Sequence, residues 1–190
     1  MGRLILVRHA ESEGNRAQVF APTPAVPLTD LGRSQARATA EWIAARHAPE
    51  QIVSSPFTRA RQTADLMADV LGVPVVVEED LRERSYGALA GHPYAAPREG
   101  YDPTAYWTWR PPGGETLLEV TARTGAVLDR IARATSGREV VVVSHGAVMM
   151  ALWFHVTGTW RTNGVVRNAG VVLAEHRDGR WLGAREELAA

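Results

Sequence analysis

Two histidines and two arginines carry the chemistry that this sequence offers: Arg8 and His9 near the amino terminus, Arg59 in the first third of the chain, and His145 far downstream. An imidazole supplies a nitrogen nucleophile or proton acceptor close to neutral pH. Planar guanidinium groups match the oxygens of a phosphoryl dianion bidentately and offset the cost of desolvating it, whereas sulfate or a carboxylate fits such a set less fully. The four residues show no recognisable metal-ligand spacing. Cys is absent, which excludes thiolate nucleophiles, disulfides and cysteine-zinc sites. All 21 basic residues are Arg, which excludes lysine Schiff-base and P-loop lysine chemistry. No Asp-rich nucleophile motif is present, so a neutral ring nitrogen of His9 is the candidate nucleophile.

These groups act together only if separate elements deliver them to one place. Leu4, Ile5, Leu6 and Val7 form an apolar run without alternation, which predicts a strand buried on both faces that stops at Arg8-His9. Val140 to Val143 repeats the design and stops at Ser144-His145-Gly146. In an open α/β sheet the ligand crevice lies beyond the carboxyl ends of the strands, where Arg8, His9, Ser12 and Asn15 would fall. Two buried strands that each discharge a histidine at the same edge imply one shared site.

The intervening chain supplies helices and a variable segment. Pro22, Pro24 and Pro27 interrupt regular structure and predict a loop at the rim of the site. Thr29 is a candidate N-cap for a helix with Leu31, Ala36, Ala40 and Ile43 at helical spacing. Gln51 to Ser54 reads as a second strand. Ser55-Pro56 then predicts an N-cap and first helical position for a helix that buries Thr63, Met67, Val70 and Leu71, ends at Gly72, and carries Arg59 in its first turn. An arginine at the positive end of a helix is explained by a nearby anion. Val73 to Val77 gives a third strand. Residues 86–112 mix prolines and glycines with Tyr94, Tyr101, Tyr106, Trp107 and Trp109 and read as a partly helical lid or insertion, whose aromatics either pack locally or select a substrate. A helix with Leu117, Thr121, Thr124, Leu128 and Ile131 on its inner face follows and ends near Gly137. Ala147 to Val156 reads as another helix, closed by Gly158. Asn168 to His176 and Arg180 to Ala184 read as a hairpin across Asp178-Gly179.

At 190 residues, 45% hydrophobic and 22% charged, the chain fits one α/β domain over residues 1–190. Its formal net charge of +0 recommends neither duplex nucleic acid nor an anionic membrane as a bulk electrostatic partner. The amino terminus lacks a signal-peptide pattern and no run approaches the length of a membrane span, so a cytoplasmic location is expected. Nothing in the composition argues against a homodimer.

The blocks Arg8-His9-Ala10-Glu11-Ser12 with Asn15, Leu28-Thr29 with Gly32 and Gln35-Ala36, Ser54-Ser55-Pro56 with Arg59, Arg61, Gln62 and Thr63-Ala64, Leu81 with Glu83 and Tyr86-Gly87, and Ser144-His145-Gly146 together resemble the histidine phosphatase superfamily, in its phosphoglycerate-mutase-like branch. They come in the family order and span residues 4–170. The resemblance implies a three-layer α/β/α sandwich with a mostly parallel central sheet, His9 as the nucleophile that becomes phosphohistidine, and Glu83 as proton donor. It implies Arg8, Arg59 and His145 as the phosphate pocket, with Ser12 and Asn15 holding the phosphate or its loop, and no metal and no cofactor. Read without the resemblance, Glu83 is a surface ion-pair partner for Arg82 or Arg84.

Within that family several features separate hydrolysis from transfer. Ala10 stands where glycine is commoner, and Met150 where many relatives carry an arginine; neither removes a catalytic group. The chain lacks the paired arginines and proline run of cofactor-dependent phosphoglycerate mutases, and His92 follows Gly91 where they have Asn-Lys. Pro112-Gly113-Gly114-Glu115-Thr116 looks more like the phosphatase members, whereas Tyr86-Gly87-Ala88-Leu89-Ala90-Gly91 is mutase-like. The expected function is metal-independent hydrolysis of a small phosphorylated metabolite. A phosphoglycerate mutase is the first alternative and a non-catalytic phospho-ligand binding module the second; a binder has no need of an acid or a nucleophile.

Overall fold

Apolar runs too continuous to alternate with solvent become the inner strands of a six-stranded sheet. The computed structural model describes residues 1–187 apart from 22, 136, 162 and 179. Pro22 of the rim loop and Gly179 of the terminal turn lie outside the described residues. The strands are β1 (Gly2–Arg8), β2 (Ile52–Ser54), β3 (Val75–Val77), β4 (Glu139–Ser144), β5 (Val171–Arg177) and β6 (Arg180–Glu187), in the order β3-β2-β4-β1-β5-β6. β3, β2, β4 and β1 run parallel, and β5 and β6 are antiparallel additions at one side.

Helices cover both faces. Along β1 and β4 the side chains alternate between two cores. Leu4, Leu6, Val140 and Val142 pack with α4 (Leu117–Ala134) and α5 (Gly146–Thr157). Ile5, Val7, Val141 and Val143 pack with α2 (Asp30–Ala44) and α3 (Thr58–Leu71). The short helix α1 (Glu13–Arg16) follows the first strand directly. The result is the expected three-layer α/β/α sandwich with a mostly parallel sheet.

Several boundaries differ from the sequence reading. The helix predicted to begin at Ser55-Pro56 begins at Thr58 with Phe57 as N-cap, although the Ser55 hydroxyl oxygen still accepts the Phe57 N–H at 3.3 Å. Arg59 still falls in its first turn. Leu31, placed on the inner face of α2, is 56% exposed; Gly32 takes the buried position, since a Cβ there would come within 2.0 Å of the Glu11 carbonyl oxygen. β3 starts two residues later than expected because Pro74 has no N–H to pair. The predicted caps at Thr29 and at the helix-ending glycines 72 and 158 are observed. Residues 86–112 hold one short 3-10 turn, Gly87–Leu89, and an isolated bridge from Pro93 to Val19, and are otherwise turns, bends and irregular chain. Among the described residues, no helix is long and apolar enough to cross a membrane.

Candidate active site

β1 and β4 are adjacent and parallel with Arg8 opposite Ser144, so the next residues, His9 and His145, leave the sheet side by side. Their ring centroids are 5.2 Å apart. Strand alternation then sorts the group. His9 and His145 continue the parity that faces α3, where Arg59 in the first turn donates from Nε to Nε2 of His9 at 3.2 Å. Arg8 and Ser144 have the other parity. Arg8 donates from Nη1 to the Val166 carbonyl at 2.7 Å, and the Ser144 hydroxyl donates to the Leu81 carbonyl at 2.7 Å, which fastens the segment that brings Glu83.

Local hydrogen bonds define both imidazoles. Nδ1 of His9 lies 2.7 Å from the Ala10 carbonyl. A carbonyl can only accept, so Nδ1 carries the proton and Nε2 keeps its lone pair, in agreement with the N–H that Arg59 directs at it. The Ser55 hydroxyl oxygen accepts the Phe57 N–H at 3.3 Å and lies 2.6 Å from Nε2 of His145. Nε2 of His145 is the acceptor that the structure places within reach of the Ser55 hydroxyl proton, and donation to it leaves the His145 ring proton on Nδ1. Burial, followed by the Arg59 and Arg8 charges, holds the His9 pKa well below the ordinary histidine value. Burial, Arg59 and His9 do the same to His145. Both rings are neutral at physiological pH, and His9 offers an unprotonated Nε2.

Around this pair the site is short of acceptors. Nε of Arg8, Nη1 of Arg59 and Nδ1 of His145 are buried without hydrogen-bond partners. Buried polar groups are almost always paired, so three such donors at one edge of the sheet suit an acceptor-rich guest such as an anion. Burial lowers the pKa of Arg8 and Arg59, partly offset by Glu83, but arginine stays charged at neutral pH. The amino-terminal ends of α3 and α5 add their positive dipole ends at the same edge.

Arg8, His9, Ser12, Asn15, Arg59 and Glu83 line one cavity of 740 Å³. His145 lies just behind its wall, fully buried against His9. Ser12 and Asn15 hold the loop: Ser12 caps α1, its hydroxyl donates to Oδ1 of Asn15 at 2.9 Å, and Asn15 donates from Nδ2 to the Tyr94 hydroxyl at 3.1 Å. Among the described residues Glu83 forms no ion pair. Arg82 pairs with Asp80 at 2.8 Å, while Oε1 of Glu83 accepts the Arg84 backbone N–H at 2.9 Å and its carboxyl faces the cavity. From residues 86–112, Tyr86, Tyr94, Arg98, Tyr101, Tyr106 and Trp109 form the far wall.

Sequence reasoning did not single out four supporting residues. Ser55 orients His145. Asn168 donates from Nδ2 to the His9 carbonyl at 3.0 Å and to Oδ1 of Asn15 at 3.1 Å. Arg84, 8% exposed, ties the lid down by donating to the Glu115 and Trp109 carbonyls at 2.7 and 2.6 Å. Arg123 on α4 donates to the carbonyls of Asp80, Arg82 and Glu83 and to the Glu115 carboxylate. Only Ser55 stood inside a quoted motif; the others meet the site through distant backbone carbonyls, which leave no residue-type signature.

Comparison with known proteins identifies the family. Residues 4–186 match the model of the histidine phosphatase superfamily (branch 1). The chain is 34% identical over 158 residues to an uncharacterized phosphatase, PhoE, of Bacillus subtilis, covering 83% of this chain and 79% of the relative. It is 32% identical over 188 residues to a metal-independent phosphoserine phosphatase of Arabidopsis thaliana, covering 94% and 78%. Among solved structures, a mycobacterial glucosyl-3-phosphoglycerate phosphatase in complex with VO3 superposes with a TM-score of 0.84 at 29% identity, covering 98% of this chain and 97% of that one.

Proposed function

Because the chain belongs to the histidine phosphatase superfamily, we propose that it hydrolyses a small phosphorylated metabolite without a metal, through a phosphohistidine on His9. The observation that carries this reading is the set of unpaired donors on Arg8, Arg59 and His145 beside a neutral His9 whose unprotonated Nε2 accepts from Nε of Arg59. Donors fixed in a buried site stabilise charge on the transferring phosphoryl oxygens with little reorganisation. Nε2 attacks phosphorus, the P–O ester bond breaks, and Glu83 gives its proton to the departing oxygen. Glu83 then takes a proton from water as that water attacks phosphorus, the P–N bond breaks, and inorganic phosphate and free His9 are restored. Arg84 and Arg123 hold the segment that carries Glu83. Residues 1–190 act as one catalytic unit with 86–112 as its lid. Relatives that include a phosphoserine phosphatase and a glucosyl-3-phosphoglycerate phosphatase support a small-molecule substrate.

The test is phosphate release from a panel of phosphomonoesters without added metal, comparing the wild type with His9→Ala and running a phosphoglycerate mutase assay beside it. Release by the wild type that vanishes in His9→Ala is expected. The mutase-like run Tyr86 to Gly91 favours the second reading, and isomerisation without release would establish it in place of hydrolysis. Phosphate binding with neither activity would identify a binding module.

A further inference from the structure

Tyr94 ties the lid back to the His9 loop, and all of its polar groups but one are committed. Its backbone N–H donates to the Gln18 carbonyl at 2.9 Å, and its own carbonyl accepts from Nη2 of Arg98 at 2.8 Å. The preceding residue, Pro93, bridges to Val19, and the Tyr94 ring meets Phe20 edge-on with centroids 5.0 Å apart. Backbone and ring are therefore fixed against the segment that follows α1.

The state of the hydroxyl follows from its neighbours. Oδ1 of Asn15 accepts the Ser12 N–H at 3.1 Å, the Ser12 hydroxyl at 2.9 Å and Nδ2 of Asn168 at 3.1 Å. The Asn168 amide is itself oriented, because Nδ2 also donates to the His9 carbonyl at 3.0 Å. A backbone N–H can only donate and a carbonyl can only accept, so the Asn15 amide has one orientation and turns Nδ2 to the Tyr94 hydroxyl at 3.1 Å. The Tyr94 oxygen is thus the acceptor, and its own proton is left over. Among the described residues that proton has no acceptor within hydrogen-bond distance. Tyr94 lines the cavity together with Arg8, His9 and Arg59. After Glu83 it is the acidic group that acts most strongly on both guanidiniums, which puts its hydroxyl at their end of the cavity. A hydroxyl held in this way offers a donor beside Arg8 and Arg59, where a phosphoryl dianion supplies the acceptor that the wall does not.

We propose that Tyr94 is a further phosphate-binding residue, contributed by the lid: Asn15 holds its hydroxyl oxygen, and its proton is donated to a phosphoryl oxygen of the substrate. The proposal rests on the phosphatase reading above and adds a lid residue to its phosphate pocket.

Inorganic phosphate is the probe, titrated calorimetrically into the wild type and Tyr94→Phe, which keeps the ring on Phe20 and removes the hydroxyl alone. Affinity is expected to fall about 10- to 100-fold, the usual worth of a hydrogen bond to a charged group. The contact is to the group that all substrates share, so kcat/KM should fall by a similar factor for glycerol 3-phosphate and p-nitrophenyl phosphate. Unchanged phosphate affinity overturns the proposal. So does a loss confined to one of the two substrates, which would move the contact to the leaving group. Placing 3,5-difluorotyrosine at position 94 separates donation to phosphate from mere support of Asn15, because fluorine makes the hydroxyl a stronger donor and its oxygen a weaker acceptor. Donation predicts tighter phosphate binding than the wild type while the phenol is protonated and weaker binding once it ionises. The opposite order, or no difference at any pH, reduces Tyr94 to a buttress of Asn15 and overturns the proposal. Phosphate binding that depends on Tyr94 in a protein without hydrolytic activity would defeat the phosphatase reading and leave the contact standing. Hydrolysis that vanishes in His9→Ala but is untouched by Tyr94→Phe would do the reverse.

Discussion

Glu83 and Ser55 show how differently two residues can serve one reaction. Glu83 contributes a proton, so Glu83→Gln is expected to lower turnover of an alkyl phosphate by roughly 10²–10⁴-fold, and to lower it less for p-nitrophenyl phosphate, whose leaving group needs no acid. Equal losses on the two substrates would remove Glu83 from the role. Ser55 acts only through His145: donation from its hydroxyl to Nε2 keeps the ring proton on Nδ1, which is buried without a partner. Ser55→Ala frees Nε2 to take that proton. It should cost about tenfold in kcat/KM and shift its pH profile, with Ser55→Thr recovering most of the loss. A pH profile unchanged in Ser55→Ala would reduce the residue to packing.

At the scale of elements, the site depends on how closely α2 and the His9 loop approach each other. The Glu11 carbonyl accepts the Thr29 N–H at 3.0 Å, and Gly32, one turn into α2, leaves no room beside it. Gly32→Ala is therefore expected to destabilise the fold by about 1–3 kcal/mol, the usual cost of overpacking, despite the better helix propensity of alanine. Urea unfolding gives the value. A stabilised variant would show that the loop yields freely, contrary to its hydrogen bonds. The same closeness explains why α2 buries Gly32 where sequence spacing favoured Leu31.

For the whole molecule, two buried neutral histidines make stability depend on pH in one direction. Their folded pKa values are depressed, so the unfolded chain binds protons that the folded chain refuses once pH falls below the ordinary value of about 6.5. Stability is fully present above that pH. On descent it declines by up to about tenfold in the folding equilibrium per pH unit for each histidine, until the folded pKa is reached. Thermal melts between about pH 8 and 5.5, above the carboxylate range, should show the decline in the wild type and a shallower one in the His9→Gln, His145→Gln double variant. Identical slopes would contradict the buried neutral assignment. Inorganic phosphate should raise the melting temperature of the wild type as its concentration increases, by occupying the unpaired donors.

The sequence by itself determined the layers and the cast. Runs such as Leu4 to Val7 and Val140 to Val143 suit strands buried on both faces, and a strand that ends in a histidine places it at the sheet edge. Residue types excluded thiolate and lysine chemistry outright, and motif order pointed to the family. What the tertiary structure decided were the states and partners of those residues. The tautomer of His145 depends on Ser55, 90 positions earlier in the chain, and the place of Glu83 on carbonyl contacts from Arg123. Ser12 and Asn15 serve the loop, and Arg98 faces the cavity, because of neighbours brought together only by folding. Periodicity records which side of an element is buried; hydrogen bonds and charge balance belong to contacts between elements, and those exist only once the chain has closed around them.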